Sequence, residues 1–523
     1  MKKQVAKLSV VLMTSAIFLA ACGSNNGNEN ANSGTTNAAA NSSTSTTDTN
    51  ADASTNANTT AADPAQDELK PVDLTWYYPL PAIPADLKTI EEAVNKITQE
   101  KINATIHMKP QAFGDYAAKM NVVVSSGEES DIIWTSNWLF PYGDNVAKGA
   151  FIPLDDLIAK YPDLQQSMPG FVWDATKVGG KVYGVPNYQT VTNRDGFKVV
   201  KSIADKYKFD PNTIKNFEDM EPFLETVKKG EPGKIPFAID LRGFASGYLH
   251  NAGNYEFWGA LGAIKLDGTN KVVNLYDTPE YKAYLDLAHR WYTKGIISED
   301  AATVKNSADV VKTGNAVSQF HNVLSADVYA AEKAPGRLGD VVLAYTSNTY
   351  ASTGTIITTM QAISKTSKNP ERAMMFINLI NTDKDLYNLL VNGIKDKNYT
   401  LGADNVATPI ADSGYSAPGW VLGNTFNAYL TPGKTTAILD QVKKDNETAT
   451  PSPLMGFNFD PQAVSAETAA VTAVVGEYGP GLNTGTIDPS TKLAEFQAKL
   501  KEAGADKIVA EVQKQLDAWL ASK

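Results

Sequence analysis

Between Pro71 and Trp134 the chain switches repeatedly between two hydrophobic periods, and this restricts the fold more than any other feature of the sequence. Val72, Leu74, Trp76 and Tyr78 recur at every second position, with Asp73, Thr75 and Tyr77 between them, which is the period of a strand. Leu87, Ile90, Val94 and Ile97 then recur at helical spacing behind Asp86, a residue suited to cap a helix start. Ala104, Ile106 and Met108 return to the strand period, a helix is expected over 114–126, and Ile132, Ile133 and Trp134 make a short buried strand. Strand, helix, strand, helix, strand is the order of a parallel sheet with crossover helices, hence an α/β fold. The rest of the chain keeps the mixture. Helices are expected over 202–208, 217–229 and 279–294, and a strand at 341–343. Asn369, expected to cap, and Pro370, at the first turn, open a helix whose apolar face is Ala373, Phe376, Ile377 and Ile380. Two helices close the chain, one lined by Leu493, Phe496 and Leu500, the other by Ile508, Val512, Leu516 and Trp519.

A length of 523 residues with 43% hydrophobic content supports two or three domains with a sizeable core. The formal net charge of −11 repels phosphate backbones, so no nucleic-acid partner is expected. One cysteine excludes an intramolecular disulfide, and the four histidines (His107, His250, His289, His321) lack ligand spacing, so no metal is expected. The sequence carries no P-loop, G-x-G-x-x-G, H-E-x-x-H or G-x-S-x-G; GFASG at 243–247 has its serine one place too late for the last. No cofactor and no catalytic residue is therefore assigned. The carboxylate pairs Glu128/Glu129 and Asp155/Asp156 read as solvated, but a glycosidase can draw two carboxylates from distant positions, so that chemistry stays open.

The amino end reads as a leader. Lys2, Lys3 and Lys7 precede an apolar run at 8–20 too short to span a bilayer, followed by Leu19-Ala20-Ala21-Cys22-Gly23. This resembles the lipobox of bacterial lipoprotein signal peptides. The resemblance implies that residues 1–21 are removed and that Cys22 carries lipid, leaving the protein anchored on the outer face of the cell membrane. Residues 23–66 hold no aromatic, Leu, Ile, Val or Met, so residues 22–66 read as a lipidated, disordered tether. As a flexible coil it would reach roughly 35–40 Å.

From about residue 70 onward, several phrases in order resemble the extracellular solute-binding proteins of bacterial ABC importers, in particular the family 1, sugar-binding type and its large Gram-positive lipoprotein members, such as those of paenibacilli. SGEESDIIWTSN (126–137) is similar to the family's stretch before the third strand, with Ser130 where proline is usual. KGAFIPLDDLI (148–158), GGKVYGVP (179–186), WYTKGIISED (291–300) and AISKTSKNPERAMMFINLI (362–380) are similar to recurrent family phrases. GWVLGNTFNAYL (419–430) and the stretch 499–519 look like the extension of this lipoprotein subgroup. The resemblance implies a periplasmic-binding-protein-like fold of type II, with two lobes, hinge crossings and a central cleft. The expected lobes are 67–190 plus 350–410 and 191–349 plus 411–523. The crossings fall near GVPNYQT, near AYTSNTYAST and beyond about residue 410. It also implies a monomeric, non-enzymatic receptor that captures a carbohydrate, in particular an oligosaccharide. The receptor delivers it to permease subunits whose ATPase is a separate protein.

A sugar offers an apolar face to an aromatic ring and a rim of hydroxyls to carboxylates and amides. Useful positions are the carboxyl ends of parallel strands and the crossings. These considerations select Trp76 and Tyr78 after the first strand, and Trp134, Asn137 and Trp138 after the third. They also select Tyr188 and Gln189 in the first crossing and Trp258 in the glycine-rich run GNYEFWGALG. Trp420 matches in order the late aromatic cluster of the maltose-type proteins. The competing readings are a surface-anchored polysaccharide hydrolase and a binding protein for another solute, such as a peptide or polyamine. A dominant acidic pocket would favour the polyamine; stacked aromatics with neutral amides would favour sugar.

Overall fold

The computed structural model describes residues 69–333 and 336–523. The leader, Cys22 and the tether lie outside the described residues. The main strands are β1 (Val72–Leu80), β2 (Ala104–Ala112), β3 (Ile132–Thr135), β4 (Gly184–Pro186), β5 (Gly196–Val200), β6 (Ile235–Phe237), β7 (Ala316–His321), β8 (Val341–Tyr345) and β9 (Met360–Ile363). They form two sheets. The first has the order β2-β1-β3-β9-β4. Its β1, β2 and β3 are parallel, as the alternation requires, and β9 runs antiparallel between β3 and β4. The second has the order β8-β5-β7-β6.

Each sheet sits in its own apolar core. The first core gathers Leu74, Trp76, Ile106, Ile133, Trp134 and Met360 with the helix Pro370–Thr382, whose Ala373, Phe376, Ile377 and Ile380 are buried as expected. The second gathers Phe197, Phe217, Phe237, Phe244 and Trp291. The carboxyl-terminal helices Pro489–Glu502 and Ala505–Ala521 join the second core through Phe496, Leu500, Ile508, Val512 and Leu516. The last helix also packs on a three-stranded antiparallel sheet (Tyr255–Trp258, Gly262–Lys265, Val272–Asn274).

Three expectations change. Asp86 stands at the start of the helix Leu87–Ile102 without capping it, because its carboxylate takes Lys397 Nζ at 2.8 Å and Asn398 Nδ2 at 3.3 Å instead. Asn369 likewise makes no side-chain cap. The stretch beyond residue 410, expected with the second lobe, first returns to the first core: Tyr415, Ala417, Val421 and Leu422 are buried there, beside Leu386 and Leu390. The chain changes core only later, since Ala449 and Met455 belong to the first and Leu454 and Phe457 to the second.

Candidate functional site

Three chain segments run side by side between the two cores. Asn193 pairs with Tyr350 across an antiparallel bridge, and Tyr350 and Ala351 pair in parallel with Thr450 and Pro451. Their backbones exchange bonds of 2.8 Å (Asn193 N to Tyr350 O), 2.9 Å (Tyr350 N to Asn193 O) and 2.7 Å (Ser452 N to Ala351 O). The second lies within AYTSNTYAST and the first three residues past GVPNYQT, near the expected crossings; the third lies near residue 450, well past 410.

On the first two of these segments, at Asn193, Asp195, Tyr350 and Ser352, opens a cleft of about 750 Å³. One wall is Asn137, Gly354, Thr355 and Thr358, from the first body of the fold; the other is Ser246, His250, Glu256, Trp258 and Asn322, from the second. Its floor carries a buried polar node. His250 Nδ1 lies 2.6 Å from Asp195 Oδ2, and Tyr350 stacks on the imidazole at 4.1 Å with its hydroxyl 3.5 Å from the same carboxylate. Burial raises the Asp195 carboxyl above the usual range, opposed by its bond to His250. Burial likewise raises Glu256, offset in part by the Ser452 hydroxyl that donates to it. Among the described residues no group of three or more His, Cys, Asp or Glu could hold a metal ion.

Two smaller hollows adjoin the cleft. One, of about 260 Å³, shares Gln189, Thr190 and Asp327 with it and is lined by Trp420, Phe426 and Tyr429. The other, of about 440 Å³, shares Ser246 and Asn322 and is polar. Beside them stands an aromatic edge. Trp138 is 53% exposed, its Nε1 donates to Thr358 O at 2.9 Å, and its ring lies 6.2 Å from Trp420, which in turn stacks on Phe113 at 5.9 Å.

The residues expected to hold ligand therefore divide. Asn137, Gln189 and Trp258 line the cleft, Trp420 lines the adjoining hollow, and Trp138 is the exposed edge. Trp76, Tyr78 and Trp134 do not reach it; all three are fully buried. Trp76 packs between Tyr78 and Phe376, and Trp134 donates its Nε1 to Thr359 Oγ1 at 2.8 Å with its ring against Tyr116. The physical reason is that β1 and β3 are interior strands of a sheet flanked by helices, where both faces are core. Tyr188 also turns away, packing on Phe426 beside a separate hollow with Met168 and Lys443. The residues missed are Asp195, His250, Glu256 and Tyr350. Tyr350 lies inside the expected crossing AYTSNTYAST, and Asp195 five positions past GVPNYQT, so both could have been reached from the crossings. Glu256 sits two places before Trp258 in the same run, whereas His250 carries no local signal.

A family model described as bacterial extracellular solute-binding protein matches residues 92–407. A second, a domain of unknown function (DUF3502), matches residues 453–521. A carbohydrate ABC transporter substrate-binding protein of Streptococcus pneumoniae is 31% identical over 84% of this chain and 89% of its own length. Lipoprotein LipO of Bacillus subtilis is 26% identical over 63% of this chain and 67% of its own length. Among solved structures, the N-glycan transport solute binding protein NgtS of Streptococcus pneumoniae aligns at 30% identity, covering 86% of this chain and 99% of that one, with a TM-score of 0.75. NgtS in complex with Man5GlcNAc aligns at 30% identity over 87% and 99%, with a TM-score of 0.66.

Proposed function

The chain belongs to the bacterial extracellular solute-binding proteins, and from that premise we propose that it captures an oligosaccharide outside the cell and presents it to the permease of an ABC importer. One observation carries the reading: the cleft lies on two of the three crossing segments and takes a wall from each body of the fold. Its lining is mostly amides and hydroxyls, with Trp258 in one wall and an aromatic edge alongside. Its three carboxylates, Asp195, Glu256 and Asp327, are already engaged by His250, by Ser452 and by Ser325 with Lys434, so acidity does not dominate it as a polyamine site would require. Such a lining satisfies sugar hydroxyls while an aromatic covers the ring's apolar face. NgtS, similar over most of both chains, is an N-glycan transport protein solved with Man5GlcNAc. Asn137, Gln189, Trp138, Trp258 and Trp420 are the ligand-holding residues in this reading, with Asp195, His250 and Tyr350 fixing the floor between them.

Closure follows from the position of the site. A ligand that touches both walls gains contacts only when they approach, so it favours the closed form by its differential affinity. ATP hydrolysis then falls to a separate subunit. Cys22 anchors the receptor by lipid, a reading supported by the similarity to a lipoprotein of Bacillus subtilis. Its test is a Cys22→Ala chain, expected to leave the membrane fraction for the medium.

Capture without chemistry is favoured over hydrolysis because the buried carboxylates of the cleft are already engaged: Asp195 by His250 and Tyr350, Glu256 by Ser452. The test is calorimetry with a panel of oligosaccharides, followed by mass spectrometry of the recovered sugar. A ligand at a hundredfold excess over its dissociation constant should stabilise the fold by about 2.7 kcal/mol and emerge unchanged. Binding confined to peptides or polyamines, or a cleaved glycan, would refute the proposal.

A further inference from the structure

Which glycans such a cleft accepts is narrowed by its charges. Its lining carries three carboxylates, Asp195, Glu256 and Asp327, and no lysine or arginine among the described residues. The three come from different elements: a crossing segment, the Tyr255–Trp258 strand and the helix Ala326–Ala331. Asp195 is bonded to His250. Asp327 takes the Ser325 hydroxyl and faces Lys434 at 3.9 Å, a lysine of the adjoining hollow. Glu256 differs from both, since its side-chain partner is the neutral hydroxyl of Ser452 and no cation lies within ion-pair distance of it among the described residues, although the nearby His250 imidazole acts on it through space. In the polar hollow beyond Ser246 and Asn322, Lys198 is bound to Glu332 at 2.7 Å and Arg242 to Asp240 at 2.7 Å, while Arg337 lies exposed.

An ionised carboxylate only accepts hydrogen bonds, so whatever capacity these three groups have beyond their protein partners can be filled only by donors. Sugar hydroxyls are donors. A ligand carboxylate is not; it would give up its water, meet Glu256, whose charge has no ion-pair partner among the described residues, and find no guanidinium or ammonium to receive it in this part of the cleft. We propose that the cleft selects by charge, taking neutral glycans and disfavouring those with a uronate or sialate unit, and that Glu256 is the specificity-determining residue. The proposal rests on the carbohydrate reading above and deepens it.

The experiment is calorimetry on the protein and on Glu256→Gln with matched pairs: galactose-terminated N-glycans with and without sialic acid, and xylo-oligosaccharides with and without a glucuronic acid branch. The neutral member of a bound pair should bind at least about tenfold tighter, and Glu256→Gln should narrow that gap several-fold. Raising the salt concentration on the unsubstituted protein should also narrow it, a readout independent of whether the variant folds. Acidic members binding as tightly as neutral ones, or a gap indifferent to both salt and Glu256→Gln, would overturn the charge proposal and leave sugar capture standing. Binding of no glycan in the oligosaccharide panel or the pairs would overturn the carbohydrate reading together with it.

Discussion

Trp134 and Trp138 are four residues apart and have opposite fates. Trp134 is fully buried on an interior strand, while Trp138 is 53% exposed in the loop that follows. Residue type selects both for sugar stacking; only the sheet order separates them, because an interior strand between helices has no free face. Trp134→Ala is therefore expected to cost about 3–5 kcal/mol in denaturant unfolding, as large-to-small core changes do. Trp138→Ala should leave the unfolding midpoint close to that of the parent and weaken sugar binding measured by calorimetry. A Trp138→Ala protein that unfolds early but binds normally would place Trp138 in the core instead. The same contrast explains what was legible at this scale. Asn137, Gln189 and Trp258 were readable because they lie in a loop, a crossing and a glycine-rich run. His250 was not, because its value lies in meeting Asp195 and Tyr350 from 55 and 100 positions away, a juxtaposition no local pattern encodes.

Among elements, the helices were easier to read than their ends. The apolar stripe of Pro370–Thr382 was legible residue by residue, since burial of one face is a periodic property of the sequence itself. Capping was not: Asp86 had a stronger distant partner in Lys397. Long-range ion pairs of this kind also join elements. Glu221 opens the helix Glu221–Gly230 and accepts from Arg290 at 2.9 Å and from Lys294, both at the end of the helix Pro279–Thr293. Its bonds to Arg290 lower its carboxyl from 4.5 to about 2, with Lys294 adding to the effect and burial opposing it. A carboxyl depressed in the folded state stabilises above its unfolded pKa, and that contribution is lost as pH falls from about 4.5 toward 2. Arg290 and Lys294 are substantially exposed, which screens the pair, so Glu221→Gln should cost only about 1 kcal/mol at neutral pH. Unfolding titrations should show the two proteins converging at pH 2. A cost unchanged between pH 7 and pH 2 would mean that Glu221 acts by packing rather than by charge.

For the whole molecule, the crossings decide how the two cores can move. Two of the three were legible because phrases near them resemble a known family; the third lies later than residue 410, because the chain packs Tyr415, Val421 and Leu422 back into the first core before it crosses near residue 450. Two short paired strands and a bridge from Asn193 in the path restrict motion to bending about them, because sliding would break the Asn193–Tyr350 and Ala351–Ser452 backbone bonds. A ligand shifts such an equilibrium only by the difference in its affinity for the open and closed forms. A sugar spanning Asn137 and Thr358 on one wall and Ser246 and Trp258 on the other has that difference; a monosaccharide held by one wall does not. Small-angle scattering should therefore show the radius of gyration falling when a bound oligosaccharide is added and staying constant with a monosaccharide that binds one wall. Equal compaction by both would mean that closure is driven from a single wall, and the paired crossings would then be a passive support rather than the hinge.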